Sequence, residues 1–193
     1  MMRRLLPLLL LALFGFTVGY TIAAPPPRAA VVFVDFGGQL WSAADRADAV
    51  TGVQRGIDLW RTGPAPLDLA AYDAGIVPIA SWEDLHDLER TAPLTLYLVE
   101  TRPGRFPRTD KRDSYAYPGW AVVTTDDRWP GAFARWSDFI AAMTAHEVGH
   151  AWPAYRLPHA LPPVCRDDVM GWPRNALYAW YIGECSRLAL EAR

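Results

Sequence analysis

The stretch of this chain best equipped for chemistry is Ala145-His146-Glu147-Val148-Gly149-His150. On a helix, positions i and i+4 lie one turn apart on one face. His146 and His150 can therefore present two imidazoles to one metal ion. Glu147 borders the same face without being needed as a ligand. Two neutral imidazoles, a third protein ligand and an open position for water make a hydrolytic zinc site, in which a nearby carboxylate takes the proton of the water. The competing reading is a chance pattern on an ordinary helix, and the rest of the chain has to decide between the two.

The elements that must position these groups follow from local patterns. Ser137 can cap the motif-bearing helix, with Asp138 complementing its dipole. Phe139, Ile140 and Met143 give it an apolar face, and Pro153 stops it near Trp152. Upstream, Ala30 to Phe36 reads as a first strand broken by Gly37 and Gly38. Ser42 caps a helix from about Ala43 to Arg61, whose Ala47, Val50, Val53, Ile57 and Trp60 form a core-facing stripe. A short strand is expected near Gly75 to Ile79, then a short helix capped by Ser81 and ending near Leu88, with His86 at the surface. Leu94 to Glu100 and Trp120 to Thr125 read as strands, separated by a polar, solvated loop over Thr101 to Tyr117. A final helix is expected from about Asn175 to Glu191, with Leu177, Ala179, Tyr181, Ile182 and Leu188 as apolar contacts.

Arg3 and Arg4 precede an apolar run from Leu5 to Leu13 that continues to Ala24. Residues 1–24 therefore read as a cleaved signal peptide or, with an apolar run of about 20 residues, an N-terminal membrane anchor. Pro25, Pro26 and Pro27 make residues 25–29 a stiff spacer. Residues 30–193 are one domain, since 193 residues are too few for two comfortable cores. The expected location is outside the cytoplasm, secreted or anchored through residues 5–24. In that setting the only two cysteines, Cys165 and Cys185, are expected to form a disulfide. A hydrophobic content of 51% with 21% charged residues is globular, and a net charge of -2 gives no reason to expect nucleic acid as a partner.

The order of strands and helices, the His146-Glu147-x-x-His150 motif and the following Asp168-Val169-Met170-Gly171 together resemble the metzincin clan of zinc peptidases. The specific motifs occupy residues 145–172. The resemblance implies an α+β, zincin-like fold: a mixed sheet with a long helix, an active-site helix and a small C-terminal part closed by a helix. It implies a bound Zn2+, Glu147 as general base, Met170 in a turn forming an apolar floor beneath the metal, and a peptide or protein substrate. It also makes Trp120 to Thr125 the edge strand along which an extended peptide adds. The chain departs from the pattern where the family glycine would fall at Pro153 and the third ligand at Arg156. Leu157-Pro158-His159 reads like the end of that motif after an insertion, which makes His159 the third ligand, with Asp167, Asp168 and Glu184 as alternatives. Glu184 would match the arrangement of the gluzincin clan.

The leading expectation is thus an exported or anchored zinc endopeptidase, acting as a monomer. Tyr155, Tyr178 and Tyr181 are oxyanion candidates, though each reads more readily as a packing residue. The alternative is a non-catalytic binding or scaffold domain on the same fold, with a degenerate or structural metal site.

Overall fold

The computed structural model describes residues 27–38, 41–62, 65–102, 104–125, 133, 135–159, 168–170 and 182–192. The leader, Cys165, Asp167, Tyr178 and Tyr181 lie outside the described residues. Among the described residues, no helix is long and apolar enough to cross a membrane.

The order of elements is β1 (Arg28–Asp35), α1 (Ala43–Asp58), a 3-10 turn (Leu59–Thr62), β2 (Ala70–Pro78), α2 (Asp84–Asp87), β3 (Leu94–Val99), β4 (Tyr115–Tyr117), β5 (Trp120–Thr124), α3 (Trp136–Ala151) and α4 (Glu184–Glu191). The fold is α+β. One five-stranded mixed sheet runs β2-β1-β3-β5-β4, with β4 alone antiparallel to its neighbour. Every residue of β3 and β5 is buried. That explains why, apart from Thr95 and Thr124, their sequences are apolar instead of alternating: both faces of the sheet are covered.

On one face Val31, Phe33, Leu96, Leu98 and Val123 pack against α1 and α3. On the other, Val34, Tyr97, Val99 and Val122 pack against Trp82, Leu85 and Phe106. Burying a side chain of this size contributes about 1.5–3 kcal/mol, so both faces matter for stability.

Several local expectations shift. The buried face of α1 is Ala49, Gly52, Val53, Gly56 and Ile57, continued by Trp60, while Ala47 is exposed. Two of those positions are glycines, which carry no hydrophobic signal. Ser42 does cap α1, its hydroxyl accepting from the Asp45 N–H. Ser137 does not cap α3. It is buried inside the first turn, and Arg135 holds the cap position without a side-chain hydrogen bond. Strand β2 is longer than expected, and α2 is shorter. The polar stretch from Thr101 to Tyr117 contains β4 and anchors Phe106 in the second core. As a result β5 is interior, and the edge is β4. Of the expected last helix, residues 175–181 lie outside the described residues; α4 begins after Gly183, and Leu188 is 56% exposed.

Candidate metal centre

Helix α3 is buried on nearly all sides, with 12 of its 16 residues inaccessible. It runs back along β5 and ends where expected, at Trp152, which caps it just before Pro153. Two glycines of α1 allow its close approach. A Cβ on Gly52 would stand 2.7 Å from the Ser137 carbonyl oxygen, and one on Gly56 would stand 2.6 Å from that of Ala141. The Gly119 N–H donates to the Ala151 carbonyl, joining the β4–β5 turn to the end of α3.

Beyond α3 the chain folds back. Tyr155 and Arg156 N–H groups donate to the Trp152 carbonyl, and the Leu157 N–H to that of Gly149. Arg156 is the one described non-glycine residue with positive φ, at 42°. The following residues bring His159 against the helix.

His146, His150 and His159 offer nitrogens that lie within 4.8 Å of one another, close enough to hold a metal ion. His146 Nδ1 is 2.8 Å from the Val169 carbonyl oxygen, and His150 Nδ1 is 2.6 Å from that of Leu157. A carbonyl only accepts, so both Nδ1 atoms carry the proton and both Nε2 atoms present a lone pair. The Nε2 atoms of His150 and His146 are nevertheless 3.2 Å apart, and those of His146 and His159 are 3.1 Å apart. The facing lone pairs of His146 and His150 do not make a hydrogen bond with each other. A cation between them turns the contact from repulsive to attractive. Tetrahedral bonds of ~2.0–2.1 Å would set such nitrogens ~3.3–3.4 Å apart, close to the spacing observed. An all-imidazole donor set suits several first-row ions.

Burial, the neighbouring His150 and His159, and a hydrogen bond that partly opposes them leave His146 at about 3. Burial also lowers His150 and His159. Neutral imidazoles are the form that binds metal. Burial pushes the Glu147 carboxyl up to about 8, and its Oε2 has no hydrogen-bond partner among the described residues. A buried carboxyl oxygen without a partner is costly, and a water or an ion is one way to satisfy it.

The alternative ligands fall elsewhere. Asp168 is buried, but its oxygens accept from the Met170 N–H, the Ser186 N–H and the Ser186 hydroxyl. It shapes the Met170 turn and ties down the first turn of α4. Gly183 leaves it room, since a Cβ there would stand 2.7 Å from Asp168 Oδ2. Glu184 is exposed and outside the histidine group. Met170 is buried, with its sulfur 2.2 Å from where a Cβ on Gly149 would be. It lies directly beneath the motif, and the glycine makes room for it. Tyr155 is not free to bind an oxyanion, because its hydroxyl donates to the Ala65 carbonyl. His86 is exposed as expected, with its ring against Tyr115, Tyr117 and Trp120. The Cys165–Cys185 pairing has one partner outside the described residues.

Sequence reasoning missed the carbonyls of Leu157 and Val169, which carry no side-chain signal, and the glycines at 52, 56 and 149. The four-residue spacing of Gly52 and Gly56 was the one available clue to a close helix contact.

No protein family and no curated protein matches the sequence.

Proposed function

We propose that the chain is a zinc-dependent peptidase on a zincin-like scaffold, exported or membrane-anchored through residues 5–24. The observation that carries this reading is the convergence of three imidazole nitrogens, two of them fixed as lone-pair donors. Zinc bound there supplies Lewis acidity, which polarises a carbonyl and acidifies water.

The protein supplies the rest. His146, His150 and His159 are the ligands. The Val169 and Leu157 carbonyls hold the first two rings in the binding tautomer, and such supports tune a metal site nearly as much as the ligands do. Glu147 is the general base: it takes a proton from water in the cleft and passes it to the leaving amine. Burial raises the pKa of this carboxyl, and a divalent cation on the adjacent histidine would favour the carboxylate. Strand β4, at the edge of the sheet and joined through its turn to the end of α3, takes the role first assigned to β5: an extended peptide adds to its free edge.

The test uses Glu147→Ala and a mixture of unstructured peptides. The wild type is expected to carry one zinc and cleave. The variant is expected to keep its zinc and lose at least 100-fold in rate, as removal of a general base implies. Full activity in the variant would remove Glu147 from the mechanism. Zinc without cleavage in the wild type would support the scaffold alternative.

A further inference from the structure

Ala145 and Gly149 each immediately precede a proposed ligand. They lie one turn apart on α3, on a face rotated away from the imidazoles. Trp60, in the 3-10 turn after α1, reaches both. Its indole N–H donates to the Ala145 carbonyl oxygen at 2.9 Å. Its Cζ2 lies 3.0 Å from the point a Cβ on Gly149 would occupy, beside the Met170 sulfur. Trp60 is itself wholly buried and braced from behind by Tyr155, with ring centroids 4.7 Å apart.

We propose that Trp60 is a positioning residue of the metal centre, fixing the rotation of α3 about its axis so that His146 and His150 converge with His159. The required tolerance explains why such a device is needed. A ring nitrogen ~5–6 Å from the helix axis moves ~1 Å when the helix turns by roughly 10°. Metal–ligand distances hold to about ±0.2 Å, which corresponds to a turn of only ~2°. Apolar burial by itself is not directional. The indole adds a directional bond on one side of the helix and a flat ring under the next turn. This inference rests on the three-histidine site and adds a support that its ligand set does not include.

The test compares Trp60→Phe with Trp82→Phe. Trp82 is equally buried and donates to the Asp110 carbonyl at 2.9 Å, but on the opposite face of the sheet. Both variants lose an indole and a hydrogen bond, so both are expected to melt at lower temperature. Zinc affinity is measured by chelator competition, and ligand geometry by the visible bands of the cobalt(II)-loaded protein. Trp60→Phe is expected to bind zinc at least tenfold more weakly, with shifted cobalt bands, while Trp82→Phe keeps wild-type values. Affinity within twofold of wild type for Trp60→Phe, or equal weakening in both variants, overturns the proposal. Should Trp60→Phe not fold, 3-benzothienylalanine at position 60 keeps the bicyclic ring and replaces N–H by sulfur. Weaker zinc binding in that protein supports the proposal, and wild-type binding overturns it. A wild-type protein that binds no metal would instead defeat the reading of the site itself.

Discussion

The two faces of the sheet are built from similar materials to different ends. Each carries a fully buried tryptophan that donates its indole N–H to a distant main-chain carbonyl at 2.9 Å: Trp60 to Ala145, and Trp82 to Asp110. On the α1–α3 side the backbone comes very close to its neighbours, through Gly52, Gly56 and Gly149. On the other side rings fill the space, with Phe36, Trp82 and Phe106 in mutual contact, and His86, Tyr115, Tyr117 and Trp120 in another group. Aromatic stacking tolerates a range of offsets and tilts. Close backbone approach does not. The three-histidine cluster sits on the face where glycines let the helices approach closely, and the other face supports the sheet behind it.

That contrast can be broken from either side. The largest effect is expected from Leu85→Ala, deep in the aromatic face. It should lower stability by about 2–5 kcal/mol, read from urea denaturation, with zinc affinity in the folded protein unchanged. A parallel loss of affinity would show that the two faces are not separable. Gly56→Ala should cost less, about 1–3 kcal/mol by overpacking, yet weaken zinc binding, because its new methyl group meets the Ala141 carbonyl and Thr144 of the ligand helix. Unchanged affinity there would mean that α3 absorbs the displacement.

The pH dependence of the metal-free protein provides a third comparison. Glu147 rises from 4.5 to about 8 on folding, so the folded chain retains a proton that the unfolded chain has lost. Its contribution to stability is complete below pH 4.5 and is lost as pH rises toward 8. His146 falls from 6.5 to about 3, so its contribution is complete above pH 6.5 and is lost as pH falls toward 3. For this pair the slopes cancel between 4.5 and 6.5. A falling arm of about 1.4 kcal/mol per pH unit remains from 6.5 to 8. Urea titrations after chelation should reveal that arm in the wild type and not in Glu147→Gln. A flat profile in the wild type would contradict the burial of the carboxylate.

The smallest effect expected is a gain. Arg156→Gly relieves a left-handed backbone at an exposed position. It should leave stability unchanged or raise it by up to about 1 kcal/mol, with zinc content intact. A loss of zinc would show that the arginine side chain helps to place His159.

The parts legible in the sequence were those written in side chains. The motif helix, its stop before Pro153 and the apolar strands follow from residue type and spacing, and the family resemblance pointed to His159 across an insertion, which lies beside His146 and His150. What escaped was written in backbone. Strand β4 is only three residues long and sits in a charged stretch, so no alternation betrays it. Its presence moves β5 from the edge to the interior. The left-handed turn sits on an arginine, a residue type that gives no warning of positive φ. Asp168 looked like a ligand because aspartates can be, and three protein donors already occupy it.

The hydrogen bonds behind the site join very distant parts of the chain: Trp60 to Ala145 spans 85 positions, and Tyr155 to Ala65 spans 90. Contacts of that separation carry a large loop-closure cost and tend to form late in folding. Helix α3 can form early from local sequence, with His146 and His150 already one turn apart, but without the wedge beneath them and without His159 held in place. Metal-binding competence thus depends on long-range contacts that local helix formation does not supply. The helix alone sets two of the histidines on one face and does nothing to hold the third against them.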